Sequence, residues 1–306
     1  MGQKVNSNIL RVGISKNWLS KYIEKNEEES CYSVYQDLKI RSYVDTFFKN
    51  YGILVHSCKI NRSNHKLKII ISYLITLKST SLIESLKIKS LSNSFANSKT
   101  NKIYKIKRLK FLKNIKTNKI KKAWPLKKEL FYYSNFIKVL LNGLNLYTNN
   151  KLEISLVFQN INKGLSVRLN NSKLKNLKNI LFNLRFYKKN EFFRESFNVI
   201  LVIFTKKNSA KLLSEYITYQ LNLLKKHNYF LTFLKKTLIF MLSAKISKIR
   251  GLKILISGRL NGVPRSKSVI INAGSISSQT LKSNIDYYHS VSFTPNGTLG
   301  VKVWVE

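Results

Sequence analysis

Between Tyr32 and Phe48 the apolar positions Val34, Leu38, Tyr43 and Phe47 recur at steps of four to five residues. That spacing predicts an amphipathic helix, with Gly52 as its stop. Two runs of β character follow, Ile53 to Ile60 and Lys66 to Leu74, and the polar turn Asn61, Arg62, Ser63, Asn64 between them predicts a hairpin. In the apolar run Phe197 to Thr205, Val199, Leu201 and Ile203 fall on one side, which reads as a buried strand. Helices are expected over about 209–224 and about 229–247. The second carries Leu231, Leu234, Leu238 and Met241 as one stripe, with Thr232 and Lys236 opposite and Lys235 on the flank. Strands are expected at 252–259, 266–273, 285–293 and 299–305, and in the last Val301, Val303 and Val305 share one face while Lys302 and Trp304 share the other. Residues 1–22, mixed and basic, read as an extended arm, and from Leu130 to Tyr187 no period stands out.

Charge changes this picture most. Lys and Arg number 55 against 14 Asp and Glu, a net charge of +41. Such an excess destabilises a compact chain unless a polyanion neutralises it, so an anionic partner is expected. Nucleic acid fits, because each neutralised phosphate releases condensed counterions. A membrane fits worse: the longest apolar run, Ile69 to Leu77, is far shorter than the roughly 20 residues of a bilayer span. Asn6 also stands where a myristoylation signal needs Ser or Thr.

The charge is concentrated in one stretch. Residues 78–102 are rich in Ser, Asn and Lys, and Lys99 to Lys128 holds thirteen basic residues and no acidic one. This reads as an insertion, either disordered until bound or laid along RNA, with partial disorder expected between about 90 and 195 in the isolated protein. Lys105, Lys107, Arg108, Lys110 and Lys113 are its candidate RNA contacts. Tyr104, Phe111 and Trp124 could stack on bases or anchor on the protein's own core.

Catalytic chemistry is hard to find. His56, His65, His227 and His289 are scattered, and acids are few. Asp286 and His289 are three apart, so on a regular strand they point to opposite faces, and Asp286 is read as structural. Cys31 and Cys58 lack the paired spacing of a zinc site and are read as buried or partly buried thiols. Glu27, Glu28 and Glu29 read as a solvated loop, and Gly297-Thr298-Leu299-Gly300 as a turn that opens a strand. No enzyme activity and no cofactor are expected. A nuclease or intron maturase would need acidic metal ligands in a recognisable constellation.

Two blocks carry a resemblance. Met1-Gly2-Gln3-Lys4-Val5-Asn6, Arg11-Val12-Gly13-Ile14, Trp18 and Asp37-Leu38-Lys39-Ile40-Arg41 resemble the start of the small-subunit ribosomal protein S-three family. Ser257-Gly258-Arg259-Leu260-Asn261-Gly262, Asp286-Tyr287 and Gly300-Val301-Lys302-Val303-Trp304-Val305 match its end, in order and spacing. The blocks cover roughly 1–75 and 197–306. The resemblance implies an α+β protein: an N-terminal type II KH-like domain split by a long basic insertion, and a C-terminal α/β sandwich-like domain of two helices and a small mixed sheet. The implied boundaries are an arm at 1–30, the KH-like domain at 31–90 with 196–206, the insertion at 91–195 and the C-terminal domain at 207–306. A Gly-x-x-Gly loop, with which KH domains clamp a nucleic-acid backbone, is absent after the second strand, where Ile75-Thr76-Leu77-Lys78-Ser79-Thr80 leads into the insertion.

The function implied is structural, in the head of a small ribosomal subunit beside the mRNA entrance. Partners would be rRNA, mRNA and neighbouring head proteins, with no membrane span and no homo-oligomer. The rRNA contacts expected are Lys4, Arg11, Lys16, Arg41, Arg259, Arg265 and Lys267. Lys235 and Lys236 are expected at the mRNA, on a helix with Leu231 and Thr232 where the family has adjacent arginines. The AT-type bias toward Lys, Asn, Ile, Leu, Phe and Tyr, the insertion, the lost loop and the lack of an evident presequence favour an organelle-encoded, mitochondrial chain. An RNA-binding or intron-processing factor outside the ribosome is the alternative.

Overall fold

The first long helix, α1 (Glu29–Asn50), forms where a helix is expected, with Glu29 at its positive N-terminal end. Its inward face, however, is Ile40, Val44 and Phe48; Val34 and Leu38 of the expected stripe are exposed, and Tyr43 and Phe47 are half-buried. Its stop is Gly52, at φ +70°, whose amide donates to the Lys49 carbonyl at 2.9 Å. The computed structural model describes residues 5–76, 126–149, 152–161, 171–205 and 209–306, apart from 25, 27, 64, 245, 247, 248 and 264, together with Ser79. By its contacts the chain divides into two units, 1–76 with 155–306, and 77–154.

In the larger unit the arm is less extended than its sequence suggests: a 3-10 turn at Ile9–Arg11 leads to the short strand β1 (Ser20–Lys21). β1 pairs in parallel with β2 (Ile53–Arg62), which pairs antiparallel with β3 (Lys66–Ile75), the expected hairpin. β4 (Glu153–Asn160) completes this sheet in the order β1-β2-β3-β4. Both faces of the hairpin are covered. Ile40, Val44 and Phe48 of α1 are buried, while Leu54 and Leu74 belong to the large core shared with the C-terminal half. This explains why Ile53, Leu54 and Val55 are all buried instead of alternating.

The smaller unit contributes α2 (Leu126–Tyr147), with Leu140 and Leu144 buried. Further on come α3 (Asn171–Asn183), a 3-10 turn at Arg185–Tyr187, α4 (Phe192–Thr205), α5 (Ala210–Leu223) and α6 (Asn228–Ser243). The second sheet, β5 (Gly251–Gly258), β6 (Lys267–Gly274), β7 (Asp286–Thr294) and β8 (Gly297–Val305), has the order β6-β5-β8-β7. Helices α5 and α6 cover one face of it. All of its pairings are antiparallel, so the sheet is not the mixed one expected. Val301, Val303 and Val305 point inward as the pattern required, and Gly297 and Gly300 lie inside β8, after a two-residue turn at Pro295 and Asn296.

Residues 197–205 are helical: the run is the second half of α4, whose Phe192, Phe193 and Phe197 pack with Val199, Ile200 and Ile203 in the large core. Seven of these nine residues are apolar, so the run alone reads equally well as a strand; the outward stripe that gives the helical period, Arg194, Asn198, Leu201 and Thr205, starts upstream of it. The expected insertion is regular in much of its second half, in α2, β4 and α3. β4 alternates, with Ile154, Leu156 and Phe158 half-buried and their neighbours exposed. Cys31 is exposed; Cys58 is buried, and burial pushes its thiol up to about 11.

The N-terminal segment and α1 are fastened to the C-terminal half by polar contacts. Arg11, 1% exposed, donates from Nε to Ser283 O (2.8 Å), from Nη1 to Ser7 O (3.0 Å) and from Nη2 to Thr280 O (2.7 Å). The Asn8 side-chain amide pairs with both backbone groups of Tyr287, at 2.7 and 3.0 Å, and so caps the open edge of β7. Asp286 accepts from Lys16 Nζ at 3.2 Å and from the Ala210 amide at 2.7 Å, holding a carboxylate at the N-terminus of α5. A bulge in β2 makes His56 the extra residue, and its Nδ1 lies 2.8 Å from the hydroxyl of Ser209, the cap of α5. Lys211 of α5 reaches Asp45 of α1 at 3.1 Å and Glu215 at 3.8 Å.

The Glu215 carboxyl is pushed up to about 7 by burial, against the opposing pull of Lys211 and Lys49. Burial works against the charge on Lys211, yet Glu215 and Asp45 outweigh it and raise its pKa. Replacing Arg11 with Met leaves the part-buried carbonyls of Ser7, Ser278, Thr280 and Ser283 without their donor and should cost about 3 kcal/mol in urea unfolding; a loss below about 1 kcal/mol would contradict the anchoring role. The folded value of Glu215 lies above its ordinary 4.5, so between about 4.5 and 7 the folded chain holds a proton that the unfolded chain has released. The stability tied to Glu215 is therefore full below that window and falls as pH rises through it. Glu215→Gln should flatten the fall and raise stability above neutrality by on the order of 1 to 3 kcal/mol, read from unfolding midpoints across pH.

Candidate nucleic-acid interface

The cations singled out in the sequence do not share one environment. Lys4 lies outside the described residues, as do Lys105, Lys107, Arg108, Lys110 and Lys113. Arg11 is buried with its guanidinium on backbone oxygens, Lys16 pairs with Asp286, and the Arg41 guanidinium donates to the Ser20 hydroxyl. These three hold the arm and α1 in place. Arg259, Arg265, Lys267, Lys235 and Lys236 are exposed.

The exposed cations fall on two neighbouring elements. Arg259 follows β5 and Lys267 opens β6; Gly258 and Lys267 are register partners, so Arg259 and Lys267 stand at the same end of the hairpin. Arg259 Nε donates to Val263 O at 3.0 Å, which fixes the root of the guanidinium while its tip faces solvent. The loop itself is tied to α6. Asn261, at φ +54°, accepts from the His227 amide at 2.6 Å, and its own amide donates to His227 Nδ1 at 3.4 Å. His227 Nε2 lies 3.2 Å from the Leu221 carbonyl, so Nε2 carries the hydrogen and Nδ1 is the acceptor. His227 is buried and serves as a joint between α5, α6 and the loop.

From that joint α6 presents Thr232, Lys235 and Lys236 outward, while Leu231, Leu234, Leu238 and Met241 are buried. Lys235 is just over two turns past the joint, roughly 12 Å along the axis. Lys236 Nζ lies 5.7 Å from the centre of the Tyr187 ring, a cation-π contact that orients the amine. Leu231, 6% exposed, is a core residue.

The sequence reading overlooked Arg185, Lys188 and Lys189, which are exposed beside α6. Its signal was the spacing of Leu177, Ile180 and Leu184, buried at steps of three and four on α3 and the turn after it. It also missed the pairing of Asn261 with His227, residues 34 apart in sequence with no local pattern to join them.

Comparison with known proteins bears on the same region. Residues 224–305 match the family described as Ribosomal protein S3, C-terminal domain. The Small ribosomal subunit protein uS3c of Tetradesmus obliquus is 47% identical over 19% of this chain and 8% of its own length. The Small ribosomal subunit protein uS3 of Endomicrobium trichonymphae is 35% identical over 37% of this chain and 46% of its length. The chain thus spans less than half of these two relatives. A match to the Small ribosomal subunit protein uS3c of Euglena longa, 26% identical, runs through the whole chain and 99% of that protein.

Gly258 lies inside the matched region and next to Arg259. Its φ is +135°, and an added Cβ would stand 2.6 Å from the Thr298 carbonyl oxygen. Gly297, at φ +128°, has open space around the same position. Gly258→Ala should therefore cost about 2 to 4 kcal/mol and Gly297→Ala about 1 kcal/mol, since only the first adds a backbone clash to the strain. Equal losses in thermal unfolding would contradict the clash.

Proposed function

We propose that this chain, a non-enzymatic member of the ribosomal protein uS3 family, is a structural constituent of the small ribosomal subunit that binds rRNA through the exposed cations of its C-terminal domain. The observation that carries the reading is the fastening of Arg259 and its loop to α6 through His227 and Asn261, in a chain whose excess charge asks for a polyanion. A preorganised guanidinium loses little entropy when it meets a phosphate, and its planar donors suit phosphate oxygens. Arg265 and Lys267 extend that surface. Lys16 and Arg41 would act as supports that place neighbouring backbone, and the lysines of 105–113 would add contacts along rRNA.

Lys235 and Lys236 would border the mRNA entrance in the subunit head. Unwinding of mRNA by adjacent arginines is not part of the proposal, because Leu231 packs in the core and Thr232 carries no charge. The succession of α1, β2 and β3 supports a KH-like N-terminal half, in which phosphate contacts would replace the clamp of a Gly-x-x-Gly loop. The AT-type composition supports an organelle-encoded chain, and the compartment proposed is the mitochondrion. Recovery with ribosomes from purified mitochondria is the expected outcome; recovery only with ribosomes of another compartment overturns that part.

Phosphate contacts position without reading sequence. Lys235→Ala with Lys236→Ala should lower the salt slope of rRNA binding by about 1.4 to 1.8, and Arg259→Ala by about 0.7 to 0.9, at all rRNA fragments alike. Filter binding across a salt series measures this. An unchanged slope in both variants, or a parent chain that does not co-sediment with small subunits, would refute the proposal.

A further inference from the structure

Beside α6 lies a surface that the reading above does not use. Helix α3 runs antiparallel to α6, since Lys173 Nζ donates to Ile246 O at 3.3 Å near the end of α6, while Tyr187, after α3, packs on Phe233 at 5.3 Å nearer its start. Two aromatic rings stand in solvent where α3 passes into the 3-10 turn: Phe182 is 64% exposed and Phe186 74%. The Arg185 guanidinium lies 4.7 Å from the centre of the Phe182 ring, and Phe186 lies 6.1 Å from Tyr229 at the first turn of α6. Residues 171–194 hold seven Lys and Arg against Glu191. Among the described residues no carboxylate pairs with Arg185, Lys188 or Lys189.

We infer that the surface formed by Phe182, Arg185, Phe186, Lys188 and Lys189, continuous with Lys236 through Tyr187 and Tyr229, is a binding site for an unpaired RNA strand. Burying neither Phe ring serves the fold, for the inward positions of this segment are already filled by Leu177, Ile180, Leu184 and Tyr187. An exposed ring next to a guanidinium offers two stacking planes to a base, and amines on the following residues are placed for the phosphates that link such bases. Duplex RNA keeps its base faces inside the stack and can use only the amines. A protein partner could cover the rings but would have to supply carboxylates for the amines. An unpaired strand answers both features at once, and the tie to Lys236 makes the site an extension of the α6 face, so the inference rests on the ribosomal reading for its biological setting.

The test uses the full chain with a labelled oligouridine of about 12 nucleotides and an RNA duplex of similar length, each over a salt series. Phe182→Leu with Phe186→Leu keeps apolar area and removes stacking. It should weaken oligouridine binding about tenfold or more, with the salt slope and the duplex affinity unchanged. Phe182→Tyr with Phe186→Tyr should bind within about threefold of the parent chain, because the π faces remain. Lys188→Ala with Lys189→Ala should lower the oligouridine slope by about 1.4. A Leu variant that binds oligouridine as the parent does, or that loses duplex affinity equally, overturns the inference. So does a Leu variant whose only defect is loss of a neighbouring protein from the particle. If the parent sediments with small subunits and the Leu variant still holds oligouridine, this site fails and the ribosomal reading stands; absence of the parent from small subunits is the failure of that reading.

Discussion

Acid scarcity governs the organisation of this chain. With 14 Asp and Glu against 55 Lys and Arg, most cations cannot be neutralised within the molecule, and several of the few carboxylates sit where elements meet. Asp37 holds Arg62 of β2 against α1, Asp45 joins α1 to α5 through Lys211, and Asp286 joins the N-terminal segment to the start of α5. Glu306 accepts from the amide and hydroxyl of Ser277, and those contacts, with Arg250, draw its carboxyl below the usual range although burial opposes them. Acids at joints hold the elements together, and among the described residues no carboxylate pairs with Arg185, Lys188, Lys189, Lys235 or Arg259.

The division of labour among the arginines follows from it. Arg11 donates to backbone oxygens, feels the Glu306 carboxylate only at longer range, and becomes a clamp between residues 7 and 283. Arg259 has a single internal bond at Nε and a free outer edge. Both belong to blocks that resemble the same family, so membership does not by itself separate a structural arginine from one available to RNA. Burial separates them, and burial of Arg11 comes from loop 278–283 folding over it, 267 residues or more away along the chain.

The joint at His227 has a comparable logic. A ring that donates through Nε2 and accepts through Nδ1 can fix three segments at once, and it sets the spacing between the Arg259 loop and the lysines of α6. Sheet and helix thereby present cations on rigid elements, which limits the entropy lost when a backbone of phosphates is bound. The aromatic surface after α3 adds a different kind of recognition to that frame, one that depends on base faces more than on charge.

The sequence by itself determined the features that local periodicity and composition encode. These are the place of α1 and its stop at Gly52, though not its inward face, the hairpin of β2 and β3, the inward stripe of α6, the alternation in β8, and a charge that asks for an anionic partner. It did not decide the run Phe197 to Thr205, because seven of its nine residues are apolar and the outward stripe of Arg194, Asn198, Leu201 and Thr205 begins before the run, in the first turn of α4. Nor could it decide which cations face outward. Exposure is a property of what covers a residue, and for Arg11, Lys16 and Arg41 the covering or pairing groups are distant in sequence and were brought beside them by the tertiary structure alone.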